Sequence, residues 1–232
     1  MITETTTPPP PGDQHDRSSS DHRVPEAAPV TLVPLIEPSG GVPHVVETER
    51  ELARAAKAIA AGEGPVGIDA ERASGYRYGQ RAYLVQVRRE GAGTWLIDPM
   101  GCPDLSPLGE AIGAAEWILH AATQDLACLA EVGLRPVQLF DTELAGRILG
   151  LPRVGLAAVV EHYLGLGLAK EHSAVDWSTR PLPEPWLRYA ALDVEVLDEL
   201  RNLMGVDLAA QGKAEGGRQG FAGLLQWAPT GR

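Results

Sequence analysis

The chain has 232 residues, 44% of them hydrophobic, and a formal net charge of −11. That length and apolar share suit one domain of ordinary size with a real core, plus tails. The negative balance argues against a broad basic face for duplex nucleic acid, but not against a narrow site that takes a single strand through metals and local arginines.

Residues 1–30, with "TTTPPPPGDQHDRSSSDH", carry no apolar period and are expected to be a disordered tail. An ordered domain begins near "TLVPLIEP" and is expected to span residues 31–205. "VPHVVETERELARAAKAIAAGEGP" reads as a short strand followed by a helix, with Thr48 and Glu51 as a capping box and Gly62 as the stop. "GPVGIDAE", "RAYLVQV" and "TWLIDP" have strand composition. "SPLGEAIGAAE" returns to helix, "WILHA" is a fourth buried strand, and "TQDLACLAEVGL" is a helix with Leu126, Leu129, Ala130 and Val132 on its apolar side. After it the pattern is helical almost throughout: "DTELAGRILG", Asp-capped and glycine-ended, then "VGLAAVVEHYLG", then the long "EPWLRYAALDVEVLDELRNLMG". Strands first and helices later indicate a mixed sheet with helices packed on it. Residues 206–232 carry Gly216 and Gly217 together, each costing roughly 1 kcal/mol in a helix, and are expected to form a weak, frayed tail.

No run of about eighteen apolar residues is present, and no basic region followed by an apolar stretch opens the chain, so neither a membrane span nor a secretory signal is expected. Cys102 and Cys128 lie far apart with no metal or redox spacing, which points to a reducing, cytoplasmic setting. Lysines occur only at 57, 170 and 213, while Arg72, Arg77, Arg81, Arg88 and Arg89 cluster. Arginine forks suit phosphate contacts, and an arginine-rich codon usage gives the same pattern without one.

Three weak signals carry chemistry. In "VGIDAE", Asp69 and Glu71 are two apart on a strand and so share a face, with Val66, Ile68 and Ala70 on the other. Two adjacent carboxylates repel; a divalent cation would neutralise them, and a hydrated strand end would also tolerate them. In "RYAALDVEVLDEL", Tyr189 and Asp193 are one helical turn apart, placed either to hold a water beside a metal or as a core phenol next to an exposed acid. In "LHAATQDLACL", Asp125 sits near a helix start, where the helix dipole alone would favour it.

Their order resembles the DEDD superfamily of 3′–5′ exonucleases: DxE on an early strand, Asp after "HAATQ", YxxxD on a late helix. The tyrosine places the resemblance in the tyrosine branch, and more narrowly with ribonuclease D. "GIDAERASGYRYGQRAYLVQV", "LIDP", "LFDTELAGRILG", "LAKEHSAVDWSTRPLP" and "RYAALDVEVL" support it over about residues 45–205. The resemblance implies a ribonuclease H-like α/β exonuclease fold with a mixed central sheet flanked by helices. It implies two divalent cations, Mg²⁺ or Mn²⁺, on Asp69, Glu71, Asp125 and Asp193, with Tyr189 orienting the attacking water. The implied reaction removes nucleoside 5′-monophosphates from single-stranded RNA 3′ ends, tRNA precursors among them. His120 is a candidate for substrate contact or for shaping its loop, and Gln86 for touching nucleotide or satisfying backbone. Lys170 and Arg180 match basic positions of the family and are candidates for phosphate, or are surface charge. Asp141 reads as a helix cap and Trp177 as packing. The family's usual helical HRDC domain is not expected here. Two rivals stand beside this reading: a DNA exonuclease of the same fold, and a non-catalytic RNA-binding or scaffold protein.

Overall fold

The computed structural model of the protein describes residues 32–73, 76, 79, 81–168, 172 and 174–226. In chain order the elements are β1 (Val33–Leu35), β2 (Val45–Val46), α1 (Glu49–Ala60), β3 (Glu63–Arg72), β4 (Ala82–Glu90), β5 (Gly93–Ile97), α2 (Ser106–Ile112), β6 (Glu116–Leu119), α3 (Leu126–Glu131) and β7 (Gln138–Asp141). They continue with α4 (Thr142–Leu149), α5 (Leu156–Leu164), β8 (Leu166–Leu168), α6 (Glu184–Glu195), α7 (Leu197–Ala210) and α8 (Ala214–Leu225).

The main sheet is mixed, in the order β2-β5-β4-β3-β6-β7; β3, β4 and β5 run antiparallel to their neighbours in that meander, and β2, β6 and β7 join by parallel pairing. This is the architecture the sequence leads one to expect. β1 and β8 form a separate two-stranded parallel sheet.

The pleat of β3 divides the molecule. Val66, Ile68 and Ala70 enter a core with Leu52, Ala55 and Ile59 of α1, Leu108 and Ile112 of α2, and Leu126 and Leu129 of α3. Gly67, Asp69 and Glu71 therefore face the other layer, which α6 and α7 supply. Gly67 is where that layer comes closest: an added Cβ would lie 3.3 Å from the Val194 carbonyl oxygen and 3.4 Å from Leu197 Cβ. The long helix expected from residue 184 onward is interrupted there, at Val196, which ends α6 and opens α7.

Two further expectations are corrected. β7 and β8 are strands inside a stretch that reads as helical. The end of the chain is not frayed over its described part: α8 is a helix despite its paired glycines, and Phe221, 6% exposed, packs on Phe140 of β7 with ring centroids 4.7 Å apart. Burial of that face outweighs the glycine cost, because most helical stability in a folded protein comes from packing. The capping box expected at α1 forms: Thr48 Oγ1 accepts from Glu51 N–H, and the Glu51 carboxylate reaches back to accept from the Thr48 hydroxyl and from Glu47 N–H. Among the described residues no helix is long and apolar enough to cross a membrane.

Candidate active site

Asp69 and Glu71 point from the centre of β3 into a cleft of 360 Å³ that α6 closes on one side. One turn apart on α6, Tyr189 and Asp193 line the same cleft, and the phenol sits close enough to the carboxylate to feel its charge. Carboxylate oxygens of Asp69, Glu71 and Asp193 lie within 4.8 Å of one another. The close approach at Gly67 is what brings the helix carboxylate to the strand pair.

Asp125 reaches the cleft from the turn after β6. It ends a short 3₁₀ turn (Ala122–Gln124) and precedes α3, yet its side chain makes no cap hydrogen bond. Its carboxylate instead faces Arg72, with Nη2 to Oδ1 at 3.5 Å. The helix-dipole reading of Asp125 is thus not the one its side chain adopts.

A single carboxylate builds that turn. Ala121 has left-handed backbone angles, φ 57° and ψ 50°, which a non-glycine residue rarely adopts. Asp141 Oδ1 accepts from Ala121 N–H at 3.1 Å, and Oδ2 accepts from Ala122 N–H at 2.9 Å. The same Oδ1 caps α4 by accepting from Glu143 and Leu144 N–H. Asp141 is a cap, as expected, and it also holds the strained turn that presents Asp125. Cys128 adds a bond from below, its thiol donating to the Asp125 carbonyl at 3.1 Å; burial pushes that thiol up to about 12.

His120 lines the cleft beside this turn. Its Nδ1 is 2.8 Å from Thr142 Oγ1, whose own hydroxyl donates to the Leu119 carbonyl. The threonine oxygen therefore accepts, and Nδ1 carries the imidazole proton. Burial lowers the His120 pKa, against the pull of Asp141 and Glu143, so the ring is neutral at physiological pH.

Two candidates are corrected. Gln86 is 0% exposed and stands directly opposite Asp69 across the β3–β4 pair, where its Nε2 donates to Glu71 Oε1 at 3.2 Å. It supports a carboxylate from behind and is too deeply buried to touch nucleotide. Arg180 spends all its donors inside the protein: Nε and Nη2 on buried Asp98 at 2.7 and 2.8 Å, Nη1 on the Trp177 and Thr179 carbonyls, Nη2 also on the Tyr83 carbonyl. A guanidinium with five N–H groups so committed is a structural staple and has none left for phosphate. Lys170 and Arg77 lie outside the described residues. Arg88 and Arg89 are turned to structure, Arg88 donating to Thr94 and Arg89 to the Ile59 and Gly64 carbonyls. Trp177 is fully buried against Trp186, as packing requires.

Asp98 and His172 lie in strings that support the resemblance, but neither stands out there as a candidate in its own right. His172 stands edge-on to Tyr189 with ring centroids 6.0 Å apart. The "LIDP" string contains Asp98, and an acid closing an apolar strand run was the available clue.

The acids strain one another. Burial, then the Asp69 and Asp193 charges, holds Glu71 well above the usual carboxylate range. Burial and then Asp69 do the same to Asp125 and Asp193, and burial raises Asp69 itself. Burial and the neighbouring Asp193 keep the Tyr189 phenol protonated. Clustered, buried, oxygen-only donors at this spacing suit a hard divalent cation, which would relieve the repulsion that otherwise favours protonation. A larger cavity of 770 Å³ lies between β7, α7 and α8, but its charged lining is an ion pair of Glu116 with Arg201, and Arg218 held by Glu215, with no cluster of acids.

A family model described as 3′–5′ exonuclease matches residues 43–209, which include Asp69, Glu71, Asp125, Tyr189 and Asp193. The chain belongs to the 3′–5′ exonuclease family. Within it, the chain is similar to ribonuclease D of Pseudomonas paraeruginosa, 36% identical over 137 residues, or 57% of this chain and 36% of that one. A solved structure of a protein from Bifidobacterium adolescentis superposes with TM-score 0.84 at 48% identity, covering 87% of this chain and 50% of that chain. Escherichia coli ribonuclease D superposes with TM-score 0.72 at 29% identity, over 81% of this chain and 51% of that chain. The 3′–5′ exonuclease chain thus spans between about a third and a half of these relatives.

Proposed function

We propose that the protein is a metal-dependent 3′–5′ exoribonuclease that hydrolyses the terminal phosphodiester of single-stranded RNA and releases nucleoside 5′-monophosphates. The observation that carries this is the meeting of Asp69, Glu71 and Asp193 within 4.8 Å in an open cleft, with Asp125 and Tyr189 on its rim. The resemblance to E. coli ribonuclease D, an exoribonuclease involved in structured RNA processing, supports RNA as substrate; tRNA 3′ processing or RNA turnover is the setting we propose.

Asp69, Glu71 and Asp193 would hold one Mg²⁺ or Mn²⁺, with Asp125 and Asp69 serving a second. When bound, such ions neutralise the phosphoryl charge and supply an activated water. The residues do the rest. Tyr189, kept as a phenol, gives a fixed polar atom beside Asp193 that orients the attacking water; it is not a base. Gln86 fixes the Glu71 carboxylate from behind. Asp141 fixes the turn that carries Asp125. His120, neutral with its proton on Nδ1, presents Nε2 as an acceptor for a sugar hydroxyl.

Matched RNA and DNA single strands, incubated with Mg²⁺ or Mn²⁺, test the reading. RNA should shorten from its 3′ end with release of 5′-monophosphates, faster than DNA. Equal or faster hydrolysis of DNA would assign the site to DNA instead, and binding without hydrolysis would make the protein a scaffold.

A further inference from the structure

Arg72 follows the acid pair directly, yet it does not take the face that simple alternation would give it. Between Glu71 and Arg72 the β3–β4 register slips: Glu71 pairs with Leu84, but Arg72 pairs with Ala82, so β4 carries one extra residue, Tyr83. Such a bulge bends the ladder and re-aims side chains next to functional sites. The result is that Arg72 lines the acidic cleft together with Asp69, Glu71, Asp125, Tyr189 and Asp193. Among the described residues it is the one lysine or arginine that does.

We propose that Arg72 takes a substrate phosphate, the phosphodiester next to the bond being cut; this rests on the exonuclease reading above. Arg72 Nη2 stands 3.5 Å from Asp125 Oδ1 and 3.4 Å from Gln124 Oε1, which sets the guanidinium beside the acids. Its planar fork matches the geometry of a phosphate. The guanidinium is also partly exposed, with 21% of the side chain open to the cleft, against 7% for Asp125. A cleft with four carboxylates repels a polyanion, and the cation that lines it is where an arriving phosphate finds complementary charge. Its charge is felt at both Asp69 and Asp125, which places it at the mouth of the acid cluster rather than on a remote surface.

The test is binding of a 5′-labelled single-stranded oligoribonucleotide with Ca²⁺ in place of Mg²⁺, over a series of KCl concentrations. Arg72→Gln should weaken binding about tenfold or more, the size of a charged hydrogen bond. Losing one neutralised phosphate should also flatten the slope of log Kd against log salt by about 0.7. Arg72→Lys keeps the charge and so the slope, but loses the fork and binds more weakly than the wild type. Arg218→Gln, an exposed arginine on α8 away from the cleft, should leave both quantities unchanged. An unchanged slope for Arg72→Gln, or for Arg72→Lys an affinity equal to the wild type, overturns the proposal and leaves Arg72 a structural residue beside Asp125. Wild-type protein that binds with the predicted salt slope but never shortens RNA in Mg²⁺ would overturn the exonuclease reading and not the phosphate contact.

Discussion

Gln86 donates its amide N–H to Glu71 Oε1 at 3.2 Å from a position with no solvent exposure, directly across the sheet from Asp69. A carboxylate proposed to hold a cation is thereby fixed by a side chain with no solvent exposure. Outer partners of metal ligands typically matter by about 10- to 100-fold in metal affinity or activity. Gln86→Leu should raise the Mg²⁺ concentration for half-maximal activity by about that factor, while RNA binding in Ca²⁺ at saturating concentration stays near wild type. An unchanged Mg²⁺ titration would remove Gln86 from the site.

Tyr189→Phe keeps the ring packed against His172 and deletes the hydroxyl beside Asp193. The loss of one positioning bond in a shielded site should cost roughly 2–4 kcal/mol of transition-state stabilisation, a rate drop of about 30- to 1,000-fold. Single-turnover cleavage measures it, and RNA affinity should barely move. A wild-type rate would leave Tyr189 as a core residue.

The raised carboxylates make a pH prediction for the metal-free protein. Glu71, Asp125 and Asp193 hold protons in the folded state at pH values where the unfolded chain has released them. The folded state then binds more protons, so stability falls as pH rises from the ordinary carboxylate range through the raised folded values. His120, lowered by burial, works in the opposite direction, but it is one group against several. In EDTA the melting temperature should drop as pH rises above the ordinary carboxylate range, and Mg²⁺ should raise it most at the upper end of that rise. A melting temperature in EDTA that is flat or rising over that range would contradict the clustering.

Arg180→Ala tests the reassignment of that residue from phosphate to structure. It strands the Asp98 carboxylate, 4% exposed, without its guanidinium. Breaking such a pair typically costs about 3–5 kcal/mol. Chemical denaturation should show a loss of that size, with the salt slope of RNA binding unchanged in the protein that remains folded. A stable variant with a flatter salt slope would return Arg180 to the substrate.

The parts of the fold that are legible in the sequence are those with local causes. Alternation on β3 puts Asp69 and Glu71 on one face, helical spacing pairs Tyr189 with Asp193, and Asp141 caps α4 as its position before Thr142 implies. What escapes is set by distant partners. β7 is four residues, Gln138–Asp141, and exists because it pairs in parallel with β6, more than twenty residues back. β8 pairs with β1 from the opposite end of the domain, Leu166 beside Val33. The partner that commits Arg180 is Asp98, 82 residues away, and nothing near Arg180 in sequence announces it. Gly216 and Gly217 argue locally against a helix, and Phe221 on Phe140 overrules them. Arg72 enters the cleft through a register slip that depends on β4, so the clustering of arginines alone could not separate it from Arg88 and Arg89.

The central claim is that Asp69, Glu71 and Asp193 together make this chain a cation-dependent 3′–5′ nuclease. The most direct measurement follows a 5′-labelled single-stranded RNA with a free 3′ hydroxyl through time, in Mg²⁺ and in EDTA, for the wild type and for Asp193→Asn. The expected result is stepwise shortening from the 3′ end by the wild type in Mg²⁺ only, and a rate lower by several orders of magnitude for Asp193→Asn at saturating Mg²⁺ even though it melts no lower than the wild type without metal. Shortening that persists in EDTA, or a folded Asp193→Asn that keeps pace with the wild type, would contradict it.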